Sequence, residues 1–261
     1  MPTLFELITH PVSLVVFGLY AGLIALEAAF PARVLPRVSG WRTRGLAAFA
    51  AFFLLSSYLP LLWGEWLAQY RLVDLAAFGT WGGAAAGLLV YETGQFAWHR
   101  AMHSSTLLWR VFHQMHHSAE RLDSYGAFWF SPADMIGWTV LGSLALTVVV
   151  GVTPEAATWV LYITTFLSVF QHANLRTPRW LGYVIQRPES HSYHHERGVH
   201  ARNYADLPVF DLLSGTFHNP RDFAPETGFW HGASARVGAM LRFEDVAQPP
   251  ATDRGKREQF A

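Results

Sequence analysis

The chain has 261 residues and a formal net charge of zero; 51% of its residues are hydrophobic and 15% are charged, against about 25% charged residues in a typical soluble protein. This composition favours an integral membrane protein, and the balanced charge gives no reason to expect binding to nucleic acid. The absence of cysteine excludes disulfides, iron–sulfur clusters and a cysteine nucleophile. Any metal ion must therefore be held by histidine and carboxylate side chains.

Long apolar segments predict helices that cross a membrane, which need about 20 mostly apolar residues each. The N-terminal stretch MPTLFELITH lacks the basic region of a signal peptide, so we expect no cleavage there. The last two apolar segments flank the turn Thr153-Pro154-Glu155 and predict a helical hairpin. The sequence thus predicts an all-α polytopic membrane protein with about four to five transmembrane helices. These segments are 11–30, 45–64, 75–91, 135–152 and 156–171.

Arginines in the connecting loops predict the orientation of these helices. The loop after the first segment holds Arg33, Arg37, Arg42 and Arg44, whereas the next loop holds only Arg71. Because cytoplasmic loops carry the excess of positive charge, we expect the first loop in the cytoplasm. Counting segments onward, all histidine clusters then fall on the cytoplasmic side and form a polar cap. A bacterial inner membrane is the expected location.

Three histidine clusters stand out: HRAMH at 99–103, HQMHH at 113–117 and HSYHH at 191–195. Residues three and four apart share a helix face, so we expect the histidines of each cluster to project together. Neutral imidazole is a good ligand for iron, zinc, copper and nickel. Eight rings exceed the need of one ion, which takes about four to six ligands. They fit two ions, each bound by four or five nitrogens.

The clusters and their surroundings resemble the fatty acid hydroxylase / sterol desaturase superfamily, which are membrane-bound histidine-box di-iron oxygenases. The resemblance extends to LLWRVFHQMHHSAERLD, QHANLRTP and NYADLPVFDLLSGTFHNP, covers about residues 88–220, and is closest to bacterial sterol-desaturase-like and alkylglycerol-monooxygenase-like members. Phe210 stands where that family usually has Trp, and Ser214 where it has Phe. Neither is a ligand position, so these departures bear on substrate fit rather than on metal binding.

The resemblance implies a site for two iron ions, which zinc could replace, with O2 as co-substrate. It also implies a lipid substrate and a separate electron donor of the reductase, ferredoxin or cytochrome b5 type. Carried over by position, the metal ligands are His99, His103, His113, His116, His117, His172, His191, His194 and His195.

Three further residues are candidates for catalytic support. The resemblance places Asn203 and Asp211 near the metal site. Glu92 lies seven residues before His99 on the same helix face, and a ligating imidazole usually donates its second N–H to a carboxylate or carbonyl. The alternatives for Glu92 are pairing with Arg100 or contact with a lipid headgroup, because a carboxylate near a membrane is costly unless it is paired or functional.

The expected organisation is an N-terminal pair of transmembrane helices over residues 1–77 and a catalytic domain over 78–220, with its transmembrane hairpin at 132–171. A C-terminal extension over 221–261 follows, and its polar end from residue 248 predicts disorder. His200, His218 and His231 are not expected to be ligands, and His10 is expected on the opposite side of the membrane.

The leading functional hypothesis is an enzyme that oxidises a lipid C–H bond with O2, by hydroxylation or desaturation. A zinc-dependent membrane hydrolase or isomerase using the same histidines is the alternative, because either chemistry needs an open metal position. A structural or transport protein that binds metal without catalysis is the third hypothesis. Clusters along a transport path would lie on both sides of the membrane, whereas these converge on one side.

Overall fold

The computed structural model describes residues 1–249, so the predicted disordered tail lies outside the described residues from position 250 onward. Helices account for nearly all regular structure in this part of the chain. The α-helices are α1 Leu4–Thr9, α2 Pro11–Ala29, α3 Trp41–Ala68, α4 Gly79–Ser104, α5 Thr106–Leu108, α6 Gln114–His117, α7 Pro132–Ser143, α8 Pro154–His172, α9 Pro188–His194, α10 Val209–Ser214 and α11 Val237–Leu241.

Shorter helical segments join or extend these elements. Trp109–His113 and Leu144–Val149 are π-helical and continue α5 and α7, respectively. Single 3-10 turns form at Ala76–Phe78, Ser124–Gly126, Arg179–Tyr183 and Ala233–Ala235.

Within residues 1–249, three helices are long and apolar enough to cross a membrane: Pro11–Ala29, Trp41–Ala68 and Pro132–Val149. The other two segments that the sequence indicated also form helices, α4 and α8. Their mean hydropathy is lower because both carry histidines and other polar residues near their carboxyl ends. The structure is therefore that of an all-α membrane protein.

The long helices pack so that the histidines meet at one end of the bundle. α4 packs against α8, α3 against α7 and α2 against α8. The carboxyl ends of α4 and α8 carry His99, His103 and His172. The segment with the second histidine cluster leads into the amino end of α7, which Ser131 caps by accepting the backbone N–H of Asp134. One end of the bundle thus gathers histidines from helices far apart in sequence.

The single carboxylate of the first apolar segment, Glu27, anchors this end of the bundle. Its Oε2 accepts hydrogen bonds from the backbone and hydroxyl of Ser124, each at 2.8 Å, and from the backbone of Asn174 at 3.1 Å. The same oxygen therefore joins the end of α2 to the segments that follow the second cluster and α8.

Close packing of α3 holds the turn after the second cluster in place. The indole of Trp41 donates to Asp123 Oδ1 at 2.8 Å. A Cβ at Gly45 would overlap the carbonyl of Tyr125, and a Cβ at Gly126 would overlap the Trp41 ring. The two glycines are needed because backbone and ring approach each other directly here.

A short parallel ladder, Val73–Asp74 against Val150–Gly151, was not expected from the sequence. It joins the loop after α3 to the end of the π-helical segment that extends α7. Two residues per strand suffice to pair backbone groups between helices, so the all-α architecture is unchanged.

Residues after 220 pack onto the second histidine cluster. Phe229, Trp230 and Met240 are buried together with Met115 and Trp41 in one apolar cluster. The indole of Trp230 donates to the carbonyl of Val246 at 2.9 Å. The described part of the C-terminal extension thus covers the cap.

Candidate metal centre

Nine buried or half-buried histidines form two adjacent groups at this end of the bundle. In each group, one ring nitrogen per residue lies within 4.8 Å of the corresponding nitrogens of the others. All nine histidines singled out in the sequence lie in these groups. The five-histidine group is His99, His103, His113, His117 and His194, and the four-histidine group is His116, His172, His191 and His195.

The second and third clusters each contribute to both groups, which differs from the expectation that each cluster projects together. His113 and His117 belong to the five-histidine group, while His116, between them, belongs to the other. His113 ends a π-helical segment and the following residues form α6, so helical phase changes within the cluster. The rings of His117 and His195 stack at 4.1 Å between centroids, where the two groups meet.

Backbone and carboxylate acceptors orient four of the five rings in the five-histidine group. His99 Nδ1 lies 2.7 Å from the Tyr204 carbonyl, and His103 Nδ1 lies 2.8 Å from the His200 carbonyl. His113 Nδ1 lies 3.0 Å from Asp134 Oδ2. Because carbonyl and carboxylate oxygens only accept hydrogen bonds, these Nδ1 atoms carry the proton.

The remaining two rings also have a partner at Nδ1. His194 Nδ1 donates to the Arg202 carbonyl at 2.7 Å, and His117 Nδ1 lies 3.1 Å from Nδ1 of His200, so that one of these two nitrogens donates to the other. The Nε2 atoms of His99, His103, His113 and His194 therefore present lone pairs. The Nε2 atoms of His103, His117 and His194 have no hydrogen-bond partner within the described residues. Converging lone pairs repel one another unless a cation lies between them.

The Nε2 atoms of the four-histidine group also converge in a way that favours a bound cation. Its Nε2 atoms form a chain of contacts of 3.0–3.1 Å, from His195 to His191 to His172 to His116. His172 Nδ1 donates to the Ser168 carbonyl at 2.6 Å, so its Nε2 has no proton. Each Nε2 has either one N–H or one lone pair, whereas Nε2 of His191 and of His172 each contact two neighbouring nitrogens. Neutral rings therefore cannot make a full hydrogen bond at all three contacts. The donor sets of both groups fit metal ions.

Burial keeps these rings neutral, with one proton each. It lowers the pKa of the histidines outside the long helices well below the usual value, and neighbouring rings lower it further. Burial also lowers the pKa of His200 to about 4. The nitrogens are therefore available as ligands at neutral pH.

One loop, residues 200–204, provides backbone acceptors for three ligands of the five-histidine group. Three of its residues, His200, Arg202 and Asn203, have positive φ angles of 45°, 70° and 48°. Non-glycine residues rarely adopt this conformation, and it costs about 1–3 kcal/mol when they do. In this loop the carbonyls of alternate residues, His200, Arg202 and Tyr204, face the rings.

The candidates Asn203 and Asp211 hold this loop and make no hydrogen bond to a histidine ring within residues 1–249. Asn203 Nδ2 donates to the carbonyls of Ser190 and His218, and its Oδ1 accepts the His218 N–H. Asp211 accepts the backbone N–H groups of Tyr204 and Ala205, each at 2.9 Å. Both side chains thus hold the loop whose carbonyls orient three of the histidines.

The third candidate, Glu92, is fully buried but makes no hydrogen bond to a histidine within residues 1–249. Its Oε2 accepts the Leu207 N–H at 3.2 Å, and its Oε1 has no partner. No ion pair with Arg100 forms in this part of the chain. The side chain lies beside Asp206, whose pKa burial raises to about 6.

Beside both groups lies a cavity of about 680 Å³ that continues between the long helices. Five of the nine histidines line one end. Along α8 its lining extends from Ala157 to His172, about 22 Å of helix at 1.5 Å per residue. Most of the remaining wall is apolar, with Phe49, Phe52 and Phe128 among its residues. The metal site is thus open to a long apolar space within the bundle.

Several functional positions were not foreseen from the sequence. Asp134, which accepts the His113 N–H, is the third residue of α7, in the first turn where acidic residues are common because they favour the helix dipole. Its one available signal was a carboxylate at the start of an apolar helix. Gln95, Gln171 and Asp206 form a buried polar cluster on the cavity wall. Nothing in their spacing indicates that they meet.

Comparison with known proteins places the chain in a family. The fatty acid hydroxylase family matches residues 84–216, just over half of the chain. Among curated proteins, it is 33% identical over 139 residues to the ornithine lipid hydroxylase OlsE of Rhizobium tropici, which covers 51% of this chain and 41% of that protein.

Relatives of lower identity match over a similar share of the chain. Sphinganine C4-monooxygenase 1 of Arabidopsis thaliana is 25% identical, covering 50% of this chain and 52% of that protein. The very-long-chain aldehyde decarbonylase GL1-9 of Oryza sativa subsp. indica is 26% identical, covering 51% and 53%. The chain spans about half the length of these relatives, and no solved structure matches it. On the match across residues 84–216, the chain belongs to the fatty acid hydroxylase family.

Proposed function

We propose that this protein oxidises a C–H bond of a membrane lipid with O2, at two iron ions held by the nine histidines. The observation that carries the proposal is that the two groups of neutral histidines open onto a long, mostly apolar cavity. Family membership supports lipid oxidation, since relatives are named as a lipid hydroxylase and a sphinganine monooxygenase. Hydroxylation is the primary reaction, and desaturation is a second possible outcome at the same carbon.

The five-histidine and four-histidine groups would each hold one iron. When bound, the iron pair would supply the redox chemistry that activates O2. Imidazole also binds zinc, so zinc is the expected replacement when iron is scarce. The choice of iron rests on the family rather than on the ligands.

The chain's own residues keep the ligands ready for the metal. The carbonyls of loop 200–204 and the carboxylate of Asp134 hold the Nδ1 proton of four rings. Each ring is thereby held as one tautomer and in one orientation, and a hydrogen bond of this kind makes Nε2 a better ligand. The apolar cavity wall would exclude water and hold a lipid chain extended beside the ligands.

The stoichiometry of the reaction requires a second protein that supplies electrons. Hydroxylation places one oxygen atom of O2 in the C–O–H group and releases the other as water. This consumes two electrons and two protons in addition to the two electrons of the C–H bond. A reductase, ferredoxin or cytochrome b5-type donor would supply the electrons from the aqueous side of the cap.

We propose the following arrangement in the membrane. α4 and α8 cross it together with α2, α3 and the α7 segment, so that five helices span. The histidines and residues 172–249 lie on the cytoplasmic side of a bacterial inner membrane. Residues 1–77 form the first transmembrane pair, 78–220 the catalytic domain, and 221–261 a C-terminal extension.

An isotope experiment tests the reaction. Membranes containing the protein are incubated with total cell lipids, reductant and reductase, under O2 labelled with oxygen-18 or in labelled water. We expect lipid products with label from O2, and no product without reductant. Membranes with His116→Ala provide the control without turnover. Product that forms anaerobically, or that takes its oxygen from water, would instead support the zinc-dependent hydrolase.

A further inference from the structure

A buried cluster of two amides and a carboxylate lies on the cavity wall, whose other side chains away from the histidine groups are mostly apolar or carry a hydroxyl. Gln95 Nε2 donates to Asp206 Oδ1 at 3.0 Å, and Gln171 Nε2 donates to the same oxygen at 2.8 Å. Gln95 and Gln171 are each 6% exposed, and Asp206 is 3% exposed. All three line the cavity. No ligand of either metal group bonds to them within the described residues, so metal binding does not account for the cluster.

The two hydrogen bonds fix which atoms remain free. Because a carboxylate oxygen accepts, both amides must direct their nitrogen atoms toward Asp206. Their carbonyl oxygens therefore point away from it. Gln95 Oε1 has no partner within residues 1–249 although it is buried. A buried acceptor without a donor is costly, so the site lacks a hydrogen-bond donor.

The cluster lies close to both groups of ligands. Gln95 precedes His99 by one helical turn on α4, and residues at this spacing have Cβ atoms about 5–6 Å apart. Gln171 directly precedes His172 on α8. A molecule bound to the cluster would therefore place its polar group within a few bonds of the carbon that faces the metals.

Resting on the proposed function, we infer that Gln95, Gln171 and Asp206 bind an N–H or O–H donor of the lipid substrate. The substrate class is then a long-chain amide or alcohol whose oxidised carbon lies near that donor, rather than a plain hydrocarbon, ester or ether. The apolar remainder of the cavity takes the chain. The cluster thus selects the lipid and positions its reacting carbon along the cavity.

Paired probe lipids measure the donor directly. N-Methylpalmitamide has one amide N–H and N,N-dimethylpalmitamide has none; hexadecan-1-ol and 1-methoxyhexadecane form the corresponding oxygen pair. Binding to the purified, iron-loaded full-length protein is measured without O2, in competition with tritiated N-methylpalmitamide. We expect about tenfold tighter binding of the donor in at least one pair. The pair that shows the preference identifies an amide or an alcohol. Equal affinities within both pairs would overturn the inference.

Two substitutions separate hydrogen bonding from the extra bulk of the methylated probes. Gln95→Met removes the free acceptor at nearly constant size, and Asp206→Asn places an amide donor on the cluster. We expect the preference for the donor to fall to about twofold or less in both. Thr164→Val is the matched control, because Thr164 also lines the cavity but its hydroxyl bonds to the Val160 carbonyl. In Thr164→Val, the tenfold preference for the donor probe should remain.

The outcomes remain distinct from those of the oxidation experiment. A preference that survives both Gln95→Met and Asp206→Asn would overturn the inference, since bulk alone would then explain it. Iron content of each variant, measured in parallel, shows that the metal site is intact. Because binding is measured without turnover, failure of the oxidation proposal leaves this comparison valid. Conversely, oxidation of donor-free lipids with equal binding would refute the polar subsite alone.

Discussion

His113 and Asp134 form a hydrogen-bonded pair, with Nδ1 and Oδ2 3.0 Å apart and residue exposures of 1% and 0%. The pair joins the π-helical segment before the cap to the start of α7. It is the single carboxylate contact to a ligand ring in the described part of the chain. A carboxylate in this position makes the imidazole a stronger ligand.

Asp134→Asn should therefore weaken metal binding by the five-histidine group. The amide still fits and can accept the proton of Nδ1, but the negative charge is lost. We expect about 10–100-fold lower affinity for iron at this group, measured by competition with a chelator. Glu27→Gln is the matched control, because Glu27 is also buried but bonds to Ser124 and Asn174. If both variants lost iron equally, general destabilisation would explain the effect.

The backbone of Arg202, rather than its exposed side chain, is expected to serve the metal site. Its carbonyl accepts the proton of His194 Nδ1, and its φ is 70°. Arg202→Gly should keep the full metal content and stay within about 1 kcal/mol of the original stability, because glycine adopts this conformation freely.

Arg202→Val should behave differently from the glycine variant. A β-branched residue at positive φ should cost about 1–3 kcal/mol and lower the metal content. Thermal unfolding and metal analysis of both variants test this. Arg221→Val, at another exposed arginine without a positive φ, provides the control. A valine at position 202 that leaves both quantities unchanged would show that the loop conformation does not matter.

Buried Asp206 should make stability depend on pH. Burial raises its pKa from 3.8 to about 6, so the folded state binds more protons than the unfolded state between these values. Asp206 therefore contributes most to the stability of the folded state below about pH 4, and this contribution is lost as the pH rises through 6. Asp206→Asn should be more stable than the original protein at pH 7, by on the order of 1–3 kcal/mol.

The pH profile distinguishes this cause from a packing effect. The gain from Asp206→Asn should disappear at about pH 4, where the aspartate is protonated as well. Thermal unfolding temperatures of both proteins from pH 4 to 7.5 give the comparison. A difference that does not change with pH would exclude the ionisation of Asp206 as its origin.

The proposed orientation makes a prediction about the loops. Reporter fusions after residues 40, 70 and 249 should be cytoplasmic, periplasmic and cytoplasmic, respectively. The reason is the four arginines in the first loop against one in the second, since positive charge is retained in the cytoplasm. A periplasmic reporter after residue 249 would invert the arrangement and place the metal site on the other side.

Local patterns account for what could be predicted from the sequence. Hydropathy located α2, α3 and the α7 segment to within a few residues, because membrane helices are set by length and apolar composition. Spacing and resemblance together singled out the nine histidines of the two groups. The division of HQMHH between both groups was not predictable, since it depends on how α4, α6 and α9 cross and on the π-helical phase before His116.

Long-range and backbone contacts account for what was missed. Asp134 follows His113 by 21 residues, and Asp206 meets glutamines from two different helices. The acceptors in loop 200–204 are carbonyls, which every residue has, so no sequence pattern marks them. Asn203 and Asp211 were associated with the site by resemblance, but their hydrogen bonds to the loop are visible only in three dimensions.

The two groups should respond differently to the loss of one ligand. The original protein should bind about two metal ions per chain, one in each group. His195→Ala leaves three ligands in its group and His117→Ala leaves four, so metal content should fall to about one per chain in the first. In His117→Ala, we expect weaker binding but little loss of metal at saturating iron.

Turnover should be lost in both histidine variants, because both metals are needed. His10→Ala, outside both groups, should keep the full metal content. Equal loss of metal in both histidine variants would argue for one shared site, and less than about one metal per original chain would refute the proposed centre.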